Sequence, residues 1–60
     1  MTITIEKKWN NGVITFPSGT LFRLSRLQTE GCIWDWITPN GHKGQSFLKP
    51  DIVPGKINNV

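Results

Sequence analysis

Tyrosine is missing from this chain, and cysteine occurs once, at Cys32. A single thiol excludes an internal disulfide. Secreted domains of this size usually depend on such cross-links, so a reducing, cytoplasmic setting is expected. A run of roughly 18 apolar residues, long enough for a membrane-crossing helix, is also absent. Met1–Glu6 lacks the basic start and apolar block of a signal peptide. Runs of like charge are missing as well. The seven basic residues are scattered as Lys7, Lys8, Arg23, Arg26, Lys43, Lys49 and Lys56, and only Lys7 and Lys8 are adjacent. That excludes the basic arm or tail found in many nucleic-acid binders.

Catalytic and metal-binding patterns are equally sparse. A structural zinc site needs four ligands in spaced Cys or His pairs, and Cys32 and His42 cannot supply them. As a nucleophile–base pair they would need a pocket and an oxyanion site, and no supporting motif accompanies them. Cys32 reads instead as a small buried hydrophobe or an edge-strand residue, and His42 as a loop residue. Glu6, Glu30, Asp35 and Asp51 share no motif that would pair two of them as acid and base. Ser18-Gly19-Thr20 lacks the lysine and following helix of a phosphate-binding loop. The expectation is a non-enzyme with no cofactor, no metal, no membrane association and no small-molecule substrate.

What is present points to a small all-β domain. Sixty residues make one unit, and a domain of that length buries only about 60% of the surface of its unfolded chain. Hydrophobic residues are 37% and charged residues 18%, a globular composition. Six glycines and four prolines imply many turns. Thr2–Trp9 alternates with Ile3 and Ile5 on one face, a strand pattern. Asn10-Asn11-Gly12 turns the chain into the short extended run Val13–Phe16, and Pro17-Ser18-Gly19 stops it. Thr20–Gln28 reads as a strand with Phe22 and Leu24 on one face. Leu27 breaks that alternation, which predicts a bulge near Ser25-Arg26. Leu21, Leu24 and Leu27 also fit a helical spacing, but the segment is short and flanked by turns. Glu30-Gly31 then closes a hairpin.

The stretch from Gly31 to Gly44 carries the most information. Cys32–Thr38 reads as a strand, Asn40-Gly41 as a two-residue type I′ turn, and His42–Leu48 as the returning strand. Lys49–Val53 is short and interrupted by Pro50, so a single 3₁₀ turn is expected there. Pro54-Gly55 turns the chain again before a last short strand at Lys56-Ile57, and Asn58–Val60 reads as a frayed end. The sum is five or six short antiparallel strands, in a two-layer sheet or a small closed barrel.

In order and spacing these residues resemble an SH3 or bacterial SH3-like barrel over roughly residues 16–57. Gly19 precedes an alternating strand, and Glu30-Gly31 is similar to the acidic-Gly turn ahead of that family's Trp strand. Trp34, Ile37 and Gly41 resemble its sequence of Trp, core aliphatic and Asn-Gly turn. Gly44 resembles the glycine that opens the next strand, and Ile52-Val53 the end of the 3₁₀ turn. The resemblance implies a small barrel. It does not carry over the grip on proline-rich peptides, which uses tyrosines. Ile52 stands where the 3₁₀-turn tyrosine is expected, and the acidic loop is reduced to Glu30.

Trp34 and Trp36 alternate, so both rings share one face of their strand. In the barrel register Ile33 and Ile37 point inward, which turns the rings outward as a binding surface. The opposite strand orientation buries both rings and exposes the isoleucines. Asp35 shares the isoleucine face and would need a partner there. Arg23, Arg26 and Lys43 would flank the rings, or else serve as solvated surface charge. Two functions follow as expectations. The first is docking on a protein partner, or on a second copy, through an exposed aromatic face. The second is binding of DNA or RNA by basic and Trp side chains, suggested by a net charge of +3 and a pI of about 9.5.

Overall fold

A computed structural model describes residues 1–58. All regular structure in it is β: β1 (Thr2–Thr4), β2 (Trp9–Asn10), β3 (Thr15–Phe16), β4 (Leu21–Leu27), β5 (Cys32–Ile37), β6 (Lys43–Leu48) and β7 (Lys56–Asn58). Five strands form an antiparallel sheet in the order β6-β5-β4-β1-β7, and β2 and β3 form a separate hairpin. The all-β expectation is met. Closure into a barrel is not seen, because the main sheet is open with β6 and β7 as its two edges. Among the described residues no helix is long and apolar enough to cross a membrane.

Seven short strands stand where five or six were expected, because the first strand and the run after it give a separate hairpin, β2 and β3; three local adjustments go with this. The first strand is shorter than Thr2–Trp9. Ile3 and Ile5 are both buried as their alternation implies, but pairing in β1 stops at Thr4. Beyond it the Ile5 N–H donates to the Thr20 carbonyl at 2.9 Å, and the Ile5 carbonyl accepts from Gly19 N–H at 2.7 Å. The chain then leaves the sheet, and Trp9 begins β2, where its ring stacks on Phe16 at 5.9 Å. In the second adjustment, only Thr15 and Phe16 of the expected run pair as strand. Asn11 Oδ1 accepts the N–H groups of Val13 and Ile14, each at 2.8 Å, so these residues form an asparagine-closed turn.

The third adjustment is in the β5–β6 loop. A type I′ turn needs positive φ at both central residues. Gly41 has φ of +91°, but among the described residues no non-glycine has positive φ, so Asn40 does not qualify. Pro39 decides the outcome, since its ring fixes φ near −65° at the second position of an ordinary turn. Gly41 N–H donates to the Thr38 carbonyl at 2.9 Å, and Thr38 N–H to the His42 carbonyl at 2.8 Å. The result is a three-residue loop with a left-handed glycine at its end.

Two expected details are present in the described residues. Register shifts between Leu24 and Arg26, which is the bulge that Leu27 signalled. Lys49–Ile52 makes one hydrogen-bonded turn, closed by Ile52 N–H on the Lys49 carbonyl at 3.1 Å, at the place of the expected 3₁₀ turn but without a 3₁₀ segment. Asn58, expected to fray, is paired with Thr2 in the sheet, and its side-chain amide donates to Thr4 Oγ1 at 2.9 Å. The rest of that expected frayed end lies outside the described residues.

The core sits between the inner face of the main sheet and the β2–β3 hairpin. Ile3, Ile5, Phe16, Phe22, Cys32, Trp34 and Val53 are buried, with Trp9, Leu24, Trp36 and Leu48 packed against them. Phe16 is the keystone of the ring cluster. It meets Phe22 edge-on at 4.9 Å and Trp36 edge-on at 5.1 Å, besides stacking on Trp9. Such edge-to-face pairs place the positive ring edge against a negative ring face, a favourable arrangement beyond simple burial.

Candidate functional site

The expected outward placement of Trp34 and Trp36 is overturned. Trp34 is 0% exposed. Its Nε1–H donates to the Leu48 carbonyl at 3.2 Å, so its one polar atom is satisfied inside the fold. Trp36 is half-buried, packs on Phe16, and donates from Nε1 to Ser46 Oγ at 3.0 Å. Both rings lie on the inner face, and Ile33, Asp35 and Ile37 lie on the outer one. Burying the larger aromatic surface and leaving the carboxylate near water is the cheaper arrangement.

Across the hairpin, β6 is built to receive the rings. Trp36 faces Gly44 and Trp34 faces Ser46. A Cβ on Gly44 would collide with the six-membered ring of Trp36. Gly44→Ala must therefore displace that ring and its bond to Ser46. A loss of about 1–3 kcal/mol is expected, as for other overpacked sites. Urea unfolding measures it, and a midpoint unchanged from wild type would show that the ring is not seated on Gly44.

The opposite, outer face of β4, β5 and β6 gathers the other candidates. Cross-strand register gives three rows: Leu21–Ile37–Lys43, Arg23–Asp35–Gln45 and Arg26–Ile33–Phe47. Arg23 and Arg26 share this face only because the bulge between them reverses the alternation. Arg23, Arg26 and Lys43 thus share one face, but it is the side away from the two Trp rings that they were expected to flank. Leu21, Ile33 and Ile37 are the outer-face residues that the sequence pattern does not mark as binding residues. Their signal was available in the strand parity, once Trp34 and Trp36 are assigned inward.

The middle row is polar and self-paired. Asp35 Oδ1 accepts from Gln45 Nε2 at 2.6 Å, and Asp35 Oδ2 lies 3.5 Å from Arg23 Nη2. With the Arg23 side chain 70% exposed, that ion pair contributes at most about 1 kcal/mol. Its effect is to hold Arg23 over the sheet and to answer the carboxylate locally. The flanking rows are more apolar. Phe47 is 56% exposed, Ile37 38% and Leu21 37%. Leu21, Arg23, Asp35, Ile37, Lys43 and Gln45 line a shallow groove on this face. Phe47 and Ile52, with Glu30 and Lys49, line a second shallow groove beside it.

Chemistry finds little to work with in the described residues. Cys32 is buried at the start of β5, and His42 is exposed beyond its other end, so the strand holds them apart. No group of three or more His, Cys, Asp or Glu residues comes together there. Comparison of the chain with protein-family models, with curated proteins and with solved structures finds no match.

Proposed function

We propose that this chain is a non-enzymatic, SH3-like binding module that docks a protein partner through the outer face of β4, β5 and β6. The observation carrying this reading is the outward set Leu21, Ile33, Ile37 and Phe47, aligned on adjacent strands around a self-paired polar row. Apolar side chains left in water on a rigid sheet, with charge at the margins, suit a protein surface. The SH3-like part is supported by Gly19 ahead of β4, the Glu30-Gly31 turn ahead of the Trp strand, and the single turn before a last strand beside β1. A reducing cytoplasm fits the buried, free thiol of Cys32.

A photo-reactive phenylalanine analogue tests this reading at position 47 or 37, with position 56 on the opposite sheet edge as control. In extract of the source cells, discrete protease-sensitive adducts are expected from 47 and 37 only. Equal labelling from 56, or no adduct from the outer face, would remove the proposal. A second reading is binding of nucleic acid, favoured by Arg23, Arg26 and Lys43 on the same face as Phe47. It ranks lower because Arg23 is engaged by Asp35 and both Trp rings face inward. A nuclease-sensitive adduct, with affinity falling steeply as salt rises, would put it first.

A further inference from the structure

The two edges of the main sheet are not alike. β7 is three residues long and starts with Lys56. β6 also starts with a lysine, Lys43, but it is six residues long, pairs among the described residues only with β5, and carries no further charge or proline as far as Leu48. Natural sheets usually blunt such an edge with charge, proline or a cover. Here Gly44, Gln45, Ser46 and Phe47 leave it open, and Phe47 is one of the more exposed large apolar side chains.

We propose that a second copy of this chain pairs antiparallel with β6, about a two-fold axis at Gln45. The inference goes beyond the docking reading above, because it concerns the β6 edge and leaves the outer face open. Residues directly opposite in an antiparallel pair share a sheet face, so the axis must pass through a residue rather than between two. An axis at Ser46 sets Lys43 directly against the second copy's Lys49, a like-charge pair, twice over. An axis at Gln45 sets Lys43 against the second copy's Phe47, and Gly44 against Ser46. Ammonium over an aromatic ring is attractive, and symmetry makes the contact twice. In that register the outer rows join into one surface across both copies. Ile33 and Phe47 of one chain run on to Lys43, Ile37 and Leu21 of the other. The open edge is then paired, and the apolar face becomes one continuous surface spanning both copies.

Sedimentation equilibrium should give a concentration-dependent mass approaching twice the 6.8 kDa chain. Phe47→Lys places two ammonium groups face to face and should weaken the dimer by at least about tenfold, with the fold intact because Phe47 is outside the core. Gln45→Cys should give a disulfide-linked dimer on mild oxidation. Opposite Cβ atoms lie about 4.5–5.5 Å apart, close to disulfide reach. Cys32 is buried and stays out of the reaction. Lys56→Cys should cross-link far less. A strictly monomeric protein overturns the inference, as does a dimer that cross-links through position 56 and not 45. If the monomer still yields a position-47 adduct with another protein, the docking reading survives alone. If no adduct forms, both fall.

Discussion

Trp34→Ala is expected to unfold the protein at 25 °C. The ring is fully enclosed, lies edge-on to Phe22 at 6.3 Å, and closes the β5–β6 hairpin through its bond to the Leu48 carbonyl. Truncating a buried aromatic side chain to alanine costs about 3–5 kcal/mol. The lost bond adds to that, since the Leu48 carbonyl must find another donor. Against this stands the whole stability of a domain this small, where the core alone supplies on the order of 3–5 kcal/mol. The variant should lose its near-ultraviolet dichroism and its cooperative urea transition together. Trp34→Phe, which keeps most of the apolar volume, should retain both at a lower midpoint. A Trp34→Ala protein that still unfolds cooperatively near the wild-type midpoint would put the ring outside the core. The outward aromatic platform would then be the better description of β5.

The orientation of β5 was the least legible part of the fold, for a physical reason. Cys32, Trp34 and Trp36 alternate with Ile33, Asp35 and Ile37, so alternation marks a strand but barely selects a face. The deciding information is non-local. Gly44 and Ser46 become meaningful only when the hairpin register sets them opposite Trp36 and Trp34. One local hint existed, because Asp35 travels with the isoleucines and a carboxylate is costly to bury. The β4 bulge, by contrast, could be read directly, since Leu27 breaks a local period. That one irregularity also places Arg23 and Arg26 on a common face, so this part of the candidate site follows from local pattern. The β5–β6 loop was legible as a turn but not in type. Asn-Gly favours a type I′ turn, but the proline before it removes conformational freedom while asparagine only expresses a preference. Trp9 belongs instead to a local hairpin with Phe16, which the Asn10-Asn11-Gly12 turn already implied, but the alternation of the first strand runs on to Trp9 and masks the break.

Gly55→Ala is the second substitution expected to act strongly, and it tests the return of the chain to β1. Gly55 has φ of +112°, beyond the small left-handed region open to other residues. A Cβ there would also strike the backbone carbonyl of Thr4, and the next nearest atoms are again backbone. Unlike a side chain, those atoms cannot swing aside, because Thr4 is paired with Leu21 on one side and Lys56 on the other. Relief therefore requires β7 to move off β1. Backbone strain of this kind costs about 1–3 kcal/mol. The clash adds about 1–3 kcal/mol more. Gly41→Ala is the comparison that separates the two effects. Gly41 has φ of +91° but nothing within 4 Å of the added atom, so it suffers the strain alone. Urea unfolding should rank Gly55→Ala well below Gly41→Ala. Hydrogen exchange should localise the excess to the amides of β1 and β7 while β5 stays protected in proportion to global stability. Equal losses at the two glycines would mean that β7 is not held against Thr4. The sheet would then end at β1, with its order reduced to β6-β5-β4-β1.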